Sequence, residues 1–213
     1  MPILLDPSLP ESLYPLAWLV GRWSGSGAVH LRDDSGDPSS QRVEQEVTAS
    51  AGDDGTLRWS TRTHVVDAPA PLPPTSAFAK EPAATPPAGS GERRLLQEET
   101  GVWTVGDPLP GQDLDAARSA APGDPAGVIS YRLEARLSSG QDEEIWLGEV
   151  RGPRIQLARK QEPGVAAADG ALAATRMFGL VGGRLMWLLE RATDPRAPQD
   201  LQPYLSLELD RVR

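Results

Sequence analysis

Apolar and polar residues alternate along most of this chain, which is the pattern of β-strands with one buried and one solvated face. The clearest example runs from Ile129 to Leu137, where every second residue is apolar and the residues between are serine, arginine and glutamate. The same period predicts ten strands, at residues 22–32, 41–50, 56–66, 93–105, 128–138, 143–151, 154–161, 172–181, 184–191 and 203–212. Short turns such as Gly182-Gly183 separate most of them, so consecutive strands are predicted to pair as hairpins.

This succession of hairpins predicts a closed sheet. An open meander of ten strands leaves an unpaired strand at each edge, whereas closure pairs both edges. We therefore predict an all-β fold, a ten-stranded antiparallel up-and-down β-barrel whose interior is wide enough for a small ligand. Helical spacing of Leu9, Leu13, Leu16 and Val20 adds one short N-terminal helix that ends at Gly21.

Two stretches lack the alternation and are predicted to lie outside the barrel. Residues 68–91 hold seven prolines and seven alanines in 24 positions, which is typical of a flexible or polyproline-like insertion. Residues 106–127 contain four glycines and four prolines without apolar periodicity and are expected to form a second loop. We interpret residues 1–213 as one barrel domain that carries these two insertions.

Charge and composition exclude several classes of function. The chain has 30 acidic and 21 basic residues and a net charge of −9. No cluster of lysine or arginine is present along the sequence, so neither nucleic acid nor an anionic membrane surface is expected as a partner. No apolar run of membrane-spanning length and no export signal is visible, and we expect a cytoplasmic protein.

The chain has no cysteine and only two histidines, His30 and His64. Disulfides, thiolate nucleophiles and cysteine-ligated metals are thereby excluded. Both histidines are expected at the surface, His64 because it shares a strand face with Arg58 and Arg62. The pattern indicates no metal site and no catalytic residue.

One short segment carries more specific information. In Gly21-Arg-Trp-Ser-Gly-Ser-Gly27, the residues Gly21, Trp23, Gly25 and Gly27 share one face of the first strand. Trp23 is large enough to close one end of a barrel. The glycines leave that face bare, which allows a close strand approach, a sharp bend, or a flat ligand lying against the backbone.

This segment, together with the preceding Pro15-Leu-Ala-Trp-Leu19, resembles the nitrobindins, which are ten-stranded calycin-like barrels related in shape to the fatty-acid-binding proteins. Three further stretches match that family in the same order along the chain. They are Glu98-Glu-Thr-Gly-Val-Trp103, Glu144-Ile-Trp-Leu-Gly148 and Pro203-Tyr-Leu-Ser-Leu-Glu-Leu209. The resemblance covers the whole barrel and omits only the two insertions.

The resemblance implies a ferric haem b at one end of the barrel, with nitric oxide binding and isomerisation of peroxynitrite to nitrate. In the family the iron is held by a histidine of the last strand, within a Pro-His-Leu type of sequence. Tyr204 stands at that position here, between Pro203 and Leu205. We therefore expect no bound cofactor, and we expect the protein not to catalyse this isomerisation.

Tyr204 nevertheless leaves a haem alternative open. A tyrosinate holds ferric iron in some haem proteins, and a nearby cation favours the ionised phenol. No arginine lies within three residues of Tyr204 in the sequence, although one on a neighbouring strand would serve. Periodicity alone turns Tyr204 outward with Ser206 and Glu208, whereas the resemblance turns it toward the interior.

Three hypotheses of function follow from these observations. The favoured one is a nitrobindin-like barrel that has lost its haem ligand and binds a small apolar ligand, with Trp59, Trp103 and Trp146 as candidate pocket lining. The second is a haem b protein that uses Tyr204 or another ligand on the iron. The third is an interaction protein that binds a partner through residues 68–91.

Overall fold

Ten antiparallel strands form a closed barrel in the computed structural model, which describes residues 9–32, 35–70, 89–121, 123–160, 172–192 and 200–212. Each strand pairs with its neighbours in sequence, and the first strand pairs with the last to close the sheet. The strands are β1 (Gly21–Arg32), β2 (Pro38–Ala51), β3 (Leu57–Val66), β4 (Arg93–Pro108), β5 (Ser130–Ser139), β6 (Asp142–Arg151), β7 (Arg154–Lys160), β8 (Leu172–Val181), β9 (Arg184–Ala192) and β10 (Leu201–Val212). The predicted all-β, up-and-down barrel is confirmed.

The segment before β1 closes one end of this barrel. It forms a 3-10 helix, Glu11–Leu16, whose Leu13 and Leu16 are fully buried, and it packs against β4 and β6. Arg211 of β10 fastens the segment by donating hydrogen bonds to the carbonyl oxygens of Trp18 (2.7 Å) and Val20 (2.6 Å). We call this the helix end of the barrel.

The described residues of the second predicted loop, 106–121 and 123–127, contain more regular structure than their composition predicts. β4 continues to Pro108, and Leu114–Ser119 form a short helix, α1, followed by a 3-10 turn at Pro125–Gly127. The Asp113 carboxylate caps α1 by accepting a hydrogen bond from the Ala116 amide at 2.9 Å. No residue of α1 is buried, so the sequence carries no apolar period that would reveal it. None of the helices in the described ranges is long and apolar enough to cross a membrane.

Most of the Pro/Ala-rich insertion, residues 71–88, lies outside the described residues. Its two flanks are joined directly after β3 and before β4. The Asp67 carboxylate accepts hydrogen bonds from the amide (2.8 Å) and the hydroxyl (2.7 Å) of Ser90. The Gly91 amide in turn donates to the Asp67 carbonyl oxygen at 2.9 Å. The β3–β4 hairpin is therefore closed by contacts between Asp67 and the last residues of the insertion, outside residues 71–88.

The glycines of β1 mark a close approach between β1 and β10. A Cβ atom built on Gly25 would overlap the carbonyl oxygen of Glu208, and one built on Gly27 would overlap that of Ser206. The bare face of β1 is thus occupied by the backbone of the neighbouring strand. Trp23 lies at the helix end, where its Nε1 donates to the Leu19 carbonyl oxygen at 2.9 Å.

The interior next to the helix end is a packed core. All six tryptophans of the chain are buried. Trp59, Trp103 and Phe178 contact one another with ring centroids 4.9–5.8 Å apart, and Phe178 stacks on Trp187 at 5.3 Å. Aromatic pairs of this kind each contribute about 0.5–1.5 kcal/mol beyond the burial of their surface. Within the barrel interior, space for a ligand is therefore expected at the opposite end.

Candidate functional site

At the end opposite the 3-10 helix, charged side chains take the inward positions that apolar residues hold elsewhere. Six strands each contribute one residue to this group, from β4, β6, β7, β8, β9 and β10. We call the group the polar cluster and this end the Tyr204 end. Its members are Glu99, Glu144, Arg159, Arg176, Arg191 and Tyr204.

Glu99 and Arg176 form the base of the polar cluster. Arg176 donates from Nη1 and Nη2 to the two carboxylate oxygens of Glu99 at 2.8 and 2.6 Å. The Glu99 side chain is only 5% exposed and that of Arg176 only 2%. Trp59 Nε1 donates to Glu99 Oε1 at 3.2 Å, and the Trp146 ring lies 4.3 Å from the Arg176 guanidinium carbon. Because β4 and β8 are four strands apart in the barrel, this pair spans the interior as a polar floor.

Tyr204 lies on a β-bulge at the start of β10. The pairing register with β9 shifts between Pro203 and Leu205, so Tyr204 is an extra residue in the ladder. Proline cannot donate to a ladder and is tolerated at such a bulge. The bulge removes Tyr204 from the period of two, and its side chain packs partly buried against the core while Leu205 remains inward. This explains why periodicity and the family resemblance gave opposite orientations.

Arg191 of β9 covers the ring of Tyr204. Its guanidinium carbon lies 3.9 Å from the ring centroid, which is a cation–π contact. Burial lowers the pKa of the Arg191 guanidinium; Tyr204 and Glu144 oppose this shift, whereas the positive charges of Arg176 and Arg159 add to it. Within the described part of the chain, Arg191 forms no hydrogen bond and no close ion pair, and the Glu144 carboxylate attracts it only at longer range.

Glu144 and Arg159 complete the wall of the cluster. Trp146 Nε1 donates to Glu144 Oε2 at 3.0 Å, and Arg159 Nε lies 3.5 Å from Glu144 Oε1. That ion pair is not aligned as a hydrogen bond, because Arg159 Nε is buried without a hydrogen-bond partner among the described residues. Arg176 Nε is buried without such a partner as well. The carboxylates of the cluster are thus engaged, whereas several guanidinium donors are not.

A cavity of about 270 Å³ lies above the polar floor. Six of its eight lining residues are polar, and Arg191 is the one cationic group among the described lining. The lining residues are Leu96, Gln97, Glu99, Leu137, Ser139, Asp142, Glu144 and Arg191. Pockets for drug-sized ligands measure about 300–1,000 Å³, so this cavity suits a smaller molecule.

Neither histidine of the chain faces this cavity. His30 lies on the outer face, with Nδ1 2.9 Å from the Ser40 hydroxyl and Nε2 3.3 Å from the Ser206 hydroxyl. His64 pairs in register with Glu44, on the outward positions of β2 and β3. The Tyr204 end therefore offers a phenol, carboxylates and guanidinium groups but no imidazole, and the described residues contain no group of three potential metal ligands.

The three tryptophans predicted as pocket lining all point inward but lie below the cavity. Trp59 and Trp146 contact the Glu99–Arg176 pair, and Trp103 lies deeper, against Trp59. Sequence reasoning missed Arg176 and Arg191 as site residues. Arg176 carried a signal, because it shares strand parity with Ala174 and Phe178 on an otherwise apolar face.

Comparison with known families agrees with this architecture. A family model described as the THAP4-like, heme-binding beta-barrel domain matches residues 12–211. The chain belongs to this nitrobindin-like family. The match spans the barrel from the 3-10 helix to the last strand, as the sequence motifs indicated.

Relatives of this family are similar over their full lengths. A ferric nitrobindin-like protein of Beutenbergia cavernae is 32% identical over all of both chains. One of Kineococcus radiotolerans is 31% identical over all of this chain and 99% of its own, and a peroxynitrite isomerase of Pseudarthrobacter chlorophenolicus is 28% identical over all of both. The crystal structure of Rv2717c from M. tuberculosis shares the fold, with a TM-score of 0.54 and 18% identity over 97% of this chain and 100% of that one.

Proposed function

We propose that this member of the nitrobindin-like family has lost iron-centred chemistry and holds a small polar ligand at the Tyr204 end of its barrel. The observation that carries the proposal is the donor set of that end. Both histidines of the chain lie on the outer face, and Tyr204 occupies the position at which the family resemblance expects the iron ligand. Without an imidazole at this end, peroxynitrite isomerisation at a histidine-bound iron has no support.

The shape of the interior supports the same conclusion. A haem needs a deep slot, whereas the Glu99–Arg176 pair crosses the barrel beneath the cavity and leaves about 270 Å³ above it. The Arg191 guanidinium covers one face of the Tyr204 ring. The residues at this end therefore do not fit a histidine-ligated haem, and we derive no step through that group.

The chemistry of the residues that line the cavity also limits the class of ligand. Leu96 and Leu137 are the two apolar residues among the eight that line the cavity. Burying an apolar molecule against charged side chains strips water from them without replacing its hydrogen bonds, which is unfavourable. The cavity therefore favours a small polar ligand over the apolar one that the sequence indicated.

Titration with hemin, followed by absorption spectroscopy, tests this proposal. The native protein and Tyr204→Phe are expected to give no saturable Soret change, because neither supplies an iron ligand in the cavity. Two features oppose haem binding, the missing imidazole and the polar floor. Tyr204→His tests them separately, because it restores an imidazole and leaves the polar floor in place. Stoichiometric binding of hemin by the native protein, abolished in Tyr204→Phe, would overturn the proposal.

A second candidate function is a haem protein that uses Tyr204, and one observation favours it. The Arg191 guanidinium, 3.9 Å from the centre of the Tyr204 ring, is the cross-strand cation that a tyrosinate ligand needs. The same titration tests this candidate if Arg191→Gln is included. A tyrosinate site would lose hemin affinity in Arg191→Gln as well as in Tyr204→Phe.

A further inference from the structure

The polar cluster has more hydrogen-bond donors than acceptors. Glu99 accepts from Arg176 and Trp59, and Glu144 accepts from Trp146 and lies within ion-pair distance of Arg159. On the donor side, Nε of Arg159 and Nε of Arg176 are buried without an acceptor among the described residues. Buried donors are rarely left unpaired, because each costs about 1–3 kcal/mol when it is not satisfied.

The polar cluster also contains more positive than negative charges. Three guanidinium groups, those of Arg159, Arg176 and Arg191, face two carboxylates, those of Glu99 and Glu144. One positive charge therefore remains, within a protein whose overall net charge is −9. Arg191 carries it, because Arg176 and Arg159 each have a carboxylate within ion-pair distance, whereas Arg191 has none at that distance among the described residues.

Arg191 is also the cationic residue that lines the 270 Å³ cavity. We propose that this cavity binds the carboxylate group of a small organic acid, with Arg191 as the main recognition residue. A planar guanidinium offers two parallel N–H donors to a carboxylate, so a bound acid would give Arg191 the acceptor that it lacks among the described residues. Leu96 and Leu137 give the short carbon skeleton of the acid an apolar surface. The inference rests on the proposed function, and it names the chemical class of the ligand.

The acidic residues of the lining do not change this assignment. Glu99 is already paired with Arg176, and Glu144 with Arg159. Asp142 lies at the start of β6, where it is exposed to solvent, so water screens its charge. A cationic ligand would have to approach Arg191 at close range and would leave its guanidinium without an acceptor.

Isothermal titration of the purified full-length protein with hexanoate tests the inference. Hexanoate is expected to bind saturably, and 1-hexanol, which has the same chain without the charge, is expected not to bind. Arg191→Gln should weaken hexanoate binding at least tenfold, which corresponds to about 1.4 kcal/mol. Arg191→Lys keeps the charge but loses the planar pair of donors, and it should bind hexanoate more weakly than the native protein.

Arg154→Gln is the matched control, because it removes the same charge from the outer face, where Arg154 contacts Met177. It should leave hexanoate affinity unchanged. Equal affinity in Arg191→Gln and native protein, or equal binding of hexanol and hexanoate, would overturn the inference. Binding of nitrate but not hexanoate would also overturn it, because the site would then take only a bare inorganic anion.

Hemin binding tests the proposed function, and hexanoate binding tests the carboxylate site separately. Saturable binding of hemin to the native protein contradicts the proposed function, whatever hexanoate does. Absence of both hemin and hexanoate binding, with Arg191 variants folded normally by circular dichroism, contradicts the carboxylate inference alone.

Discussion

Glu99 and Arg176 lie 77 positions apart in the sequence and meet in a bidentate ion pair inside the barrel. Removing two charges from water is costly, and their attraction compensates for it only when the geometry is good and the remaining polar atoms are hydrogen-bonded. Trp59 donates one further hydrogen bond to the carboxylate, and the Trp146 ring contacts the guanidinium. Each charge of the pair is therefore compensated by its partner, although Arg176 Nε has no hydrogen-bond partner among the described residues.

Removing one partner should destabilise the protein strongly. Arg176→Met leaves Glu99 buried without its counter-charge, and we expect the free energy of unfolding to fall by about 3–5 kcal/mol. The double variant Glu99→Leu/Arg176→Met removes both charges and should lose less than the single variant. Urea denaturation of the three proteins measures the difference. A double variant less stable than Arg176→Met would contradict this account.

Gly27→Ala should destabilise the junction of β1 and β10. The added Cβ atom would overlap the carbonyl oxygen of Ser206, which belongs to the backbone and cannot move without opening the barrel. We expect a loss of at least about 2 kcal/mol in the free energy of unfolding, in the range for overpacked interiors. Ser24→Ala, at an exposed position of the same strand, is the control and should unfold like the native protein.

The strand order and closure of the barrel were predictable because each strand is coded by its own alternation of apolar and polar residues. Val43, Val47 and Ala49, for example, alternate with polar residues in the sequence and are buried in the barrel. Because short turns join consecutive strands, each strand was expected to pair with the next one, and this gives a single strand order. Helix α1 was not predictable in this way, because its short, exposed sequence has no buried face.

The candidate site was predictable only in part, because it depends on contacts between distant strands. Tyr204 was identified from its place in the last strand, but its orientation depends on a bulge that no period reveals. Its partner Arg191 belongs to another strand, and no spacing along the sequence indicates their contact. Glu98 and Glu99 are adjacent on β4 and face opposite sides of the strand, and the ion pair with Arg176 of β8, which no spacing reveals, explains how the buried Glu99 is accommodated.

Asp67 should titrate below the ordinary range of an aspartate. Hydrogen bonds from the side chain and the backbone amide of Ser90 lower the pKa of Asp67 from its usual value of 3.8. A carboxyl group with a lower pKa in the folded protein stabilises the fold above the unfolded-state pKa. That contribution is lost as the pH falls below 3.8 through the folded-state pKa. Carbon-detected NMR titration of the Asp67 carboxyl measures the midpoint directly.

Ser90→Ala provides the control for this titration. It removes the hydroxyl donor and keeps the backbone amide, so the pKa of Asp67 should move back toward 3.8 without reaching it. Asp54, whose pKa is lowered by hydrogen bonds from Thr56 in a different turn, should titrate as before in this variant. An Asp67 midpoint that is unchanged in Ser90→Ala would show that the hydroxyl is not the cause of the shift.

Replacing residues 71–88 by a short glycine–serine linker should leave the barrel intact. The β3–β4 hairpin is paired up to Val66 and Arg93, and the Asp67–Ser90 hydrogen bonds close it before the replaced segment begins. Shortening a connection changes the entropy of loop closure slowly, by about 0.6 kcal/mol for each halving of its length. The free energy of unfolding in urea should therefore stay within about 1 kcal/mol of the native value.

A glycine–serine segment of the original length is the control for loop length. A loss of more than about 2 kcal/mol in both variants would show that this segment packs on the barrel, since loop closure alone cannot account for it.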